Sequence, residues 1–594
     1  MSQSRSPLLQ VAALSVAFQQ HNATHNALQR VSVTVNKGEL VAVVGESGSG
    51  KSVTSLSVLR LLPSPPALYT HGHIWYTQNN NSLDLLQATP AQIRQLRGKR
   101  IAMIFQEPMT SLNPVRTCGS QVMEALRQHT ALSRKQAYTQ TIHLFTQVQL
   151  PDPERIFKSY PHQISGGQKQ RAMIAMAMSC QPELLICDEP TTALDVTVQK
   201  SILQLIKQLQ QQQQMGVLFI THDLGVVAEI ADRIVVMYKG QVVEEGTTHD
   251  IFTQPQHPYT QALLACRPAL YPRGQRLPVV SDFLTPGESS SLPDENNTVS
   301  VALTIASSPA SITTTETASN SISDNINTVE ATPLITVTNL EVWYPRSRNF
   351  FGKATAYTKA VNDVSFQIYE GETLGLVGES GCGKSTLGRA LLRLVAPTSG
   401  EITFGNESLN HMSESRLKEM RRQMQIIFQD PYSSLNPRKP IGSAIAEVLK
   451  VHGIGNTEAQ RKTMVIELLQ KVNLLPEHFN RYPHEFSGGQ RQRIVIARAL
   501  ALQPSFVVCD ESVSALDVSV QAQVLNLLND LKKEFRFTSV FISHDLSVVK
   551  YISDRIMVMN KGQIEECGPA EQVYNHPKSS YTQQLIAAAP QLSL

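Results

Sequence analysis

Two hydrophobic patterns alternate along the chain. Short unbroken apolar runs, Leu40 to Val44, Leu184 to Cys187 and Val217 to Ile220, are separated by longer stretches in which apolar residues recur at helical spacing. The runs predict strands and the spacers predict helices, giving an α/β fold with a largely parallel central sheet. The arrangement then recurs, with Thr373 to Val377, Phe506 to Cys509 and Val540 to Ile542 repeating it in the second half. Late in each half, Arg233 to Val243 and Arg555 to Ile564 are β-rich runs broken at Lys239-Gly240 and Lys561-Gly562. This is a hairpin signal, so a small antiparallel element is expected beside each sheet.

The repeat sets the domain plan. Lys51 and Lys384 lie 333 residues apart (384 − 51), but Gln106 and Gln429 lie 323 apart (429 − 106). The first half thus carries about ten extra residues between those points. Because Pro63 to Asn81 is rich in Pro, His and Asn, the insertion reads as a longer surface loop. Between Leu270 and Pro333 the composition shifts to Ser, Thr, Asn and Pro, with too little apolar content to offset the entropy of ordering. The expected plan is a first domain at 1–270, a flexible Ser/Thr-rich linker at 271–333 and a second domain at 334–594. The run Gln210 to Gln214 reads as a solvated helix end.

Bulk properties narrow the partners. A net charge of +3 over 594 residues supplies no general field for gripping nucleic acid or an anionic membrane. No apolar stretch approaches the roughly 18 residues needed to span a bilayer, and Met1 to Pro7 leads into none, so a soluble cytoplasmic chain is expected. The 7 cysteines are scattered without a C-x-x-C pair and read as reduced, mostly buried thiols.

The chemistry sits in strings that occur twice. Gly45-Glu46-Ser47-Gly48-Ser49-Gly50-Lys51-Ser52 and Gly378-Glu379-Ser380-Gly381-Cys382-Gly383-Lys384-Ser385 each follow an apolar run and precede a helical pattern. In that context backbone N–H groups wrap a polyphosphate, the lysine reaches the β/γ oxygens and the last serine hydroxyl ligates Mg²⁺. One isolated match would also fit a Gly-rich turn with a solvated lysine; the duplication in register argues against that. Further on, apolar runs end in Asp188-Glu189 and Asp510-Glu511. The aspartate can hold Mg²⁺ through water, and the glutamate points where an attacking water would sit. Ala193-Leu194-Asp195 and Ala515-Leu516-Asp517 follow, and then strands ending in His222 and His544, placed to hydrogen-bond a γ-phosphate. Ser165-Gly166-Gly167-Gln168 and Ser487-Gly488-Gly489-Gln490 open basic helices and read as a second anion site, a helix N-cap being the bland alternative for either alone.

Taken in order, each half resembles an ATP-binding cassette, with Walker A, Q-loop (Gln106, Gln429), signature, Walker B, D-loop and H-loop; everything but the linker is covered. The resemblance implies two P-loop domains, each with a helical subdomain, packed head to tail around two ATP molecules. Lys51 would then share a nucleotide with Ser487 and Gly489, and Lys384 with Ser165 and Gly167. It implies adenine stacking on Phe18 and Tyr344, Mg²⁺ held by Ser52, Gln106 and Asp188 or by Ser385, Gln429 and Asp510, and catalysis by Glu189, His222, Glu511 and His544. Ile164 and Phe486 stand where leucine is usual, and Ser512 stands where Pro190 follows the other glutamate. Neither departure removes a phosphate ligand or a carboxylate, so both sites are expected to hydrolyse ATP.

Phe105 to Pro114 and Phe428 to Pro437, together with His257-Pro258-Tyr259-Thr260 and the looser His576-Pro577 with Tyr581-Thr582, resemble the peptide and nickel importer family. The fused arrangement is most similar to its glutathione-importing members. The resemblance implies an ATPase at the cytoplasmic face of a bacterial inner membrane, energising uptake of glutathione or short peptides, with dipeptides, oligopeptides or nickel as alternatives. Its partners would be two transmembrane permeases, received by the inserts at 107–163 and 430–485, and a periplasmic solute-binding protein. Membrane association would run through the permeases only, and no nucleic acid would be bound. Cassette proteins that act on ribosomes or DNA are the remote alternative; they differ in having charged helical connectors or zinc-binding cysteine clusters.

Overall fold

The computed structural model describes residues 7–20, 23–79, 81–106, 111–192, 194–284, 332–348, 354–514 and 516–589. Residues 1–6, the 107–110 stretch of the string after Gln106, Ala193, Ala515 and the 285–331 part of the expected linker lie outside the described residues.

The first half contains β1 (Pro7–Gln20), β2 (Ala23–Asn36), β3 (Leu40–Val44), β4 (Ala67–Gln78), β5 (Asn81–Asp84), β6 (Ile101–Ile104), β7 (Leu184–Asp188), β8 (Gly216–Thr221), β9 (Arg233–Tyr238) and β10 (Gln241–Thr247). Six of these form a sheet in the order β10-β9-β3-β8-β7-β6, parallel except for β10. Its inner strands β3, β7 and β8 are buried on both faces, and successive residues explain why. Leu184 and Ile186 face a core shared with the N-terminal strands, whereas Leu185 and Cys187 face the helices Cys118–His129, Gly166–Met178 and Val196–Gln213. A strand covered on both sides reads as a continuous apolar run, the signal seen in the sequence.

The second half repeats this with β11 (Pro333–Arg348), β12 (Ala354–Tyr369), β13 (Thr373–Val377), β14 (Ser399–Phe404), β15 (Glu407–Ser408), β16 (Met424–Ile427), β17 (Phe506–Asp510), β18 (Thr538–Ile542), β19 (Arg555–Asn560) and β20 (Gln563–Pro569). Its six-stranded sheet has the corresponding order, β20-β19-β13-β18-β17-β16. The helical inserts are Cys118–His129, Arg134–Gln147 and Pro153–Lys158 in the first half, and Ile441–Val451 with Glu458–Lys471 in the second. No helix among the described residues is long and apolar enough to cross a membrane. All seven cysteines are free, and Cys567 is the exposed one.

Four expectations need correction. The late hairpin, β9–β10 or β19–β20, is the edge of the main sheet. The separate antiparallel element is a four-stranded sheet, β2-β1-β4-β5 or β12-β11-β14-β15, built largely from the start of each half. The insertion at Pro63 to Asn81 is mostly strand: β4 has 12 residues against 6 in β14, and it pairs with β1 from Ala67 to Tyr76. Gln210 is buried, its side-chain amide donating to the Gly38 carbonyl at 2.8 Å, so the glutamine run is not simply solvated.

The fourth correction concerns residues 271–284, expected within the linker. They form a strap laid across the second half. Leu277 and Asn526 exchange two hydrogen bonds, Leu277 N–H to Oδ1 at 2.9 Å and Nδ2 to Leu277 O at 2.8 Å. The Tyr551 hydroxyl donates to Gln275 O at 2.7 Å, and Arg273 pairs with Asp554. Leu277, Val279 and Val280 are buried, each such side chain contributing about 1.5–3 kcal/mol toward the entropy of ordering the strap. The signal was a short apolar cluster inside a polar stretch. Asn526→Ala would leave a buried N–H and C=O of Leu277 unpaired. It is expected to destabilise the protein by about 2–4 kcal/mol, read as a lowered urea midpoint.

Candidate functional site

β3 and β13 each end at a glycine in a conformation closed to other residues, Gly45 at φ 151° and Gly378 at φ 150°. The chain then curls over the first turn of the helices Lys51–Val58 and Lys384–Leu391. Gly50 and Gly383, both left-handed, start those helices without a side-chain cap, which leaves the first-turn N–H groups facing the loop. Lys51 is buried, and Nζ donates to Gly45 O at 2.8 Å and to Glu46 O at 3.0 Å; Lys384 makes the same bonds to Gly378 O and Glu379 O at 2.7 and 2.9 Å. Burial lowers the Lys51 pKa against the pull of Asp517, Glu189, Asp188 and Glu46. A loop curled around an ammonium held by its own backbone carbonyls is arranged to give that ammonium to an anion.

The acidic partners stand beside the loops. The Ser52 hydroxyl donates to Asp188 Oδ1 at 3.0 Å and that of Ser385 to Asp510 Oδ1 at 2.8 Å. Burial raises both aspartate pKa values, and hydroxyl plus carboxylate is a hard-oxygen set suited to Mg²⁺. The next residues, Glu189 and Glu511, adopt a left-handed φ of 48°. That conformation costs a non-glycine residue about 1–3 kcal/mol and turns the carboxylate toward the loop.

Three groups converge on Glu189 Oε2: Gln106 Nε2 at 3.0 Å, Thr192 Oγ1 at 3.0 Å and His222 Nδ1 at 3.4 Å. Around Glu511 Oε2 stand Gln429 Nε2 at 2.7 Å and His544 Nδ1 at 3.8 Å. Burial pushes the Glu189 carboxyl up, but His222, Lys51 and Thr192 together outweigh it and hold the group at about 2. Burial would lower the pKa of His222, yet the bond to and charge of Glu189, with Asp517 and Asp223, raise it. The ion pair's contribution is therefore lost as pH rises through the raised histidine value or falls through the depressed glutamate value. It is intact between the ordinary values of the two groups, about 4.3 and 6.5. In nucleotide-free protein the His222 imidazole is expected to titrate above its ordinary value by NMR and to fall back in Glu189→Gln. A resonance unmoved by that change would mean that the pair does not form.

The halves meet at these sites. The Ser47 N–H donates to Asp517 Oδ2 at 2.8 Å, and the Ser519 hydroxyl bonds Glu46, so the second half touches the first phosphate loop. Around the second loop, Ser380, Gly381, Lys384, Ser385, Gln429, Glu511 and His544 share a cavity with Thr192, Leu194 and Asp195 of the first half. The two contacts are unequal. Asp195 caps its own helix through Val198 N–H at 2.9 Å, whereas Asp517 makes no such cap and reaches across instead. The sequence has aspartate at both 195 and 517 and valine at both 198 and 520, but Thr197 stands where Ser519 makes the contact to Glu46.

Ser165 and Ser487 cap their helices, accepting from Gln168 N–H and Gln490 N–H at 3.3 Å, with Gln168 and Gln490 completing the boxes. Gly167 and Gly489 are tight, since a Cβ would fall 2.8 Å from Val198 and 2.3 Å from Val520. Ser165, Gly166, Ser487 and Gly488 are exposed, and a Cβ at Gly488 would meet nothing. Neither serine lines the cavity over the second loop. Phe18 is partly buried against the first half's core and Tyr344 is exposed, both on strands of the antiparallel sheets. Sequence reasoning missed the hydroxyls of Tyr259 and Tyr581, which accept hydrogen bonds from Glu46 N–H at 3.0 Å and Glu379 N–H at 3.2 Å. The available signal was only their place in the string shared with importers.

Comparison with known proteins finds the ABC transporter family model at residues 28–192 and 361–514, and the model for the oligopeptide/dipeptide transporter C-terminal region at 243–283 and 566–593. The chain is 48% identical over 587 residues to the glutathione import ATP-binding protein GsiA of Salmonella typhimurium (strain LT2), covering 98% of this chain and 89% of that protein. It is 48% identical over 593 residues to GsiA of Escherichia coli (strain K12), with the same coverage. Among solved structures, the ATP-binding cassette MJ0796 bound to ADP and Pi, in a dimeric post-hydrolysis state, matches with 27% identity and a TM-score of 0.36, covering 40% of this chain and 98% of that one.

Proposed function

Because the chain belongs to the ABC transporter family, in which it is an ATP-binding, ATP-hydrolysing subunit, we propose that it energises import of glutathione across a bacterial inner membrane. The observation that carries this reading is the pairing, in each half, of a complete set of nucleotide-site residues with an importer-type C-terminal region. The relatives named above are glutathione import proteins, which favours glutathione as the cargo. The oligopeptide/dipeptide model favours short peptides as a second reading.

In this reading ATP lies against Lys51 or Lys384, with Mg²⁺ held by Ser52, Asp188 and Gln106 or by Ser385, Asp510 and Gln429. The exposed edges at Ser487-Gly488 and Ser165-Gly166 close over the opposite loop's nucleotide. Glu189 and Glu511 accept a proton from the attacking water, and His222 and His544 turn from the glutamate to the γ-phosphate. Gln106 and Gln429, bonded to those glutamates, report the nucleotide state to the helical inserts, where two permeases dock. A periplasmic binding protein selects the cargo, and the chain stays peripheral on the cytoplasmic face.

Deleting the gene should abolish ATP-dependent uptake of labelled glutathione into cells. Wild-type chain should restore uptake, and the Glu189→Gln/Glu511→Gln variant should not. Loss of dipeptide uptake with glutathione uptake intact would select the second reading. Intact uptake of both would overturn the importer assignment.

A further inference from the structure

We propose that the hydroxyls of Tyr259 and Tyr581 are positioning groups that pin the first peptide of each phosphate loop in its nucleotide-accepting orientation. The peptide in question joins Gly45 to Glu46, or Gly378 to Glu379. Its carbonyl accepts from the loop lysine at 2.8 or 2.7 Å, and its N–H, on the opposite edge of the same plane, donates to the tyrosine at 3.0 or 3.2 Å. The preceding glycine is the one residue here free to let that plane rotate. With the phenol in place the plane is held from both sides, and it stays held from one when the lysine leaves its carbonyls for a phosphate.

Each tyrosine is itself held firmly. Tyr259 is fully buried and its ring lies 4.3 Å from that of Tyr238, the last residue of β9. The approach to its helix is anchored by Glu244, whose carboxylate accepts from Gln256 N–H at 2.7 Å and His257 N–H at 3.1 Å. Glu566 does the same in the second half, accepting from Lys578 N–H at 2.9 Å and Ser579 N–H at 3.0 Å. Burial raises both phenol pKa values, Tyr581 to about 12, so both remain neutral hydroxyls at any working pH. The duplication adds weight because the surroundings differ. His257-Pro258-Tyr259 in one half corresponds to Ser579-Ser580-Tyr581 in the other, and Asn560 stands where Tyr238 stacks, yet the phenol reaches the same amide.

The inference rests on the ATPase assignment, and its test uses the full chain. The Tyr259→Phe/Tyr581→Phe variant keeps both rings and loses both bonds. It is expected to bind MgATP three- to tenfold more weakly by calorimetry, roughly the worth of one neutral hydrogen bond per site, with KM raised to match and kcat within about twofold of wild type. Tyr551→Phe is the control, since it removes the hydroxyl bonded to Gln275 in the strap; it should lower Tm without moving the ATP affinity. Unchanged affinity in the double variant, or an equal loss in Tyr551→Phe, would overturn the inference. Wild-type chain that bound no ATP would instead overturn the assignment beneath it.

Discussion

Glu189→Gln is expected to leave ATP binding intact while reducing turnover at its site by roughly 10²–10⁴-fold, the range supplied by a positioned general base. The substitution preserves shape, so Gln106 and Thr192 keep a partner within reach of the side chain. What it removes is the negative charge and the basic oxygen. Glu511→Gln should act likewise at the second site, since that carboxylate is also held below its ordinary pKa, where burial is outweighed by His544 and Lys384. Each single variant should therefore lose half or more of steady-state ATPase activity, and the double variant nearly all of it. The inequality between the halves gives the comparison added content. Thr192 donates to Glu189 Oε2 at 3.0 Å, whereas the equivalent Ser514 hydroxyl donates to the Glu511 backbone carbonyl at 2.9 Å and only assists in lowering the Glu511 pKa. An inert Glu511→Gln would mean that the second site holds nucleotide without hydrolysing it.

Gly45→Ala is expected to weaken ATP binding at the first site by more than tenfold, for a reason unrelated to charge. A Cβ on Gly45 would sit 2.2 Å from the backbone oxygen of Met237 in β9, the strand beside β3. Backbone within a sheet cannot yield, so the loop itself must shift. The φ of 151° is also one that alanine resists, and Ser49 Oγ would lie 2.8 Å from the added Cβ. Displacing the loop moves the two carbonyls that hold Lys51 and the N–H groups meant for phosphate. Gly48→Ala is the internal comparison. Nothing lies within 4 Å of its Cβ, so only its φ of 81° opposes the change, and the loss should be smaller. Equal affinity in Gly45→Ala and wild type would mean that the loop is not the nucleotide's seat.

The parts of this molecule most legible in its sequence are those in which one short string carries both fold and chemistry. Gly45 to Ser52 predicts strand, turn, helix and ligand together, because close approach to phosphate demands glycines and the lysine at fixed spacing. The buried parallel strands were legible for a related reason, since two covered faces leave no polar position. The antiparallel sheets were not. β1 pairs with β2 and β4 through repeated register shifts, which break the alternation that would have revealed them. Residues 271–284 were misread because Leu277, Val279 and Val280 are too few to stand out from a polar stretch, and their partner Asn526 lies 249 residues away. Tyr259 was missed on the same ground, its bond to the Glu46 amide spanning 213 residues. The crossing of Asp517 to Ser47 depends on how two halves sit against each other, and no local string encodes that.

The central claim is that each nucleotide is gripped by both halves at once. A structure of the intact Glu189→Gln/Glu511→Gln chain with MgATP tests it most directly. Two ATP molecules are expected, one touching Lys51 and Ser487 and the other Lys384 and Ser165. Nucleotides bound wholly within single halves, with both serines left in solvent, would contradict it.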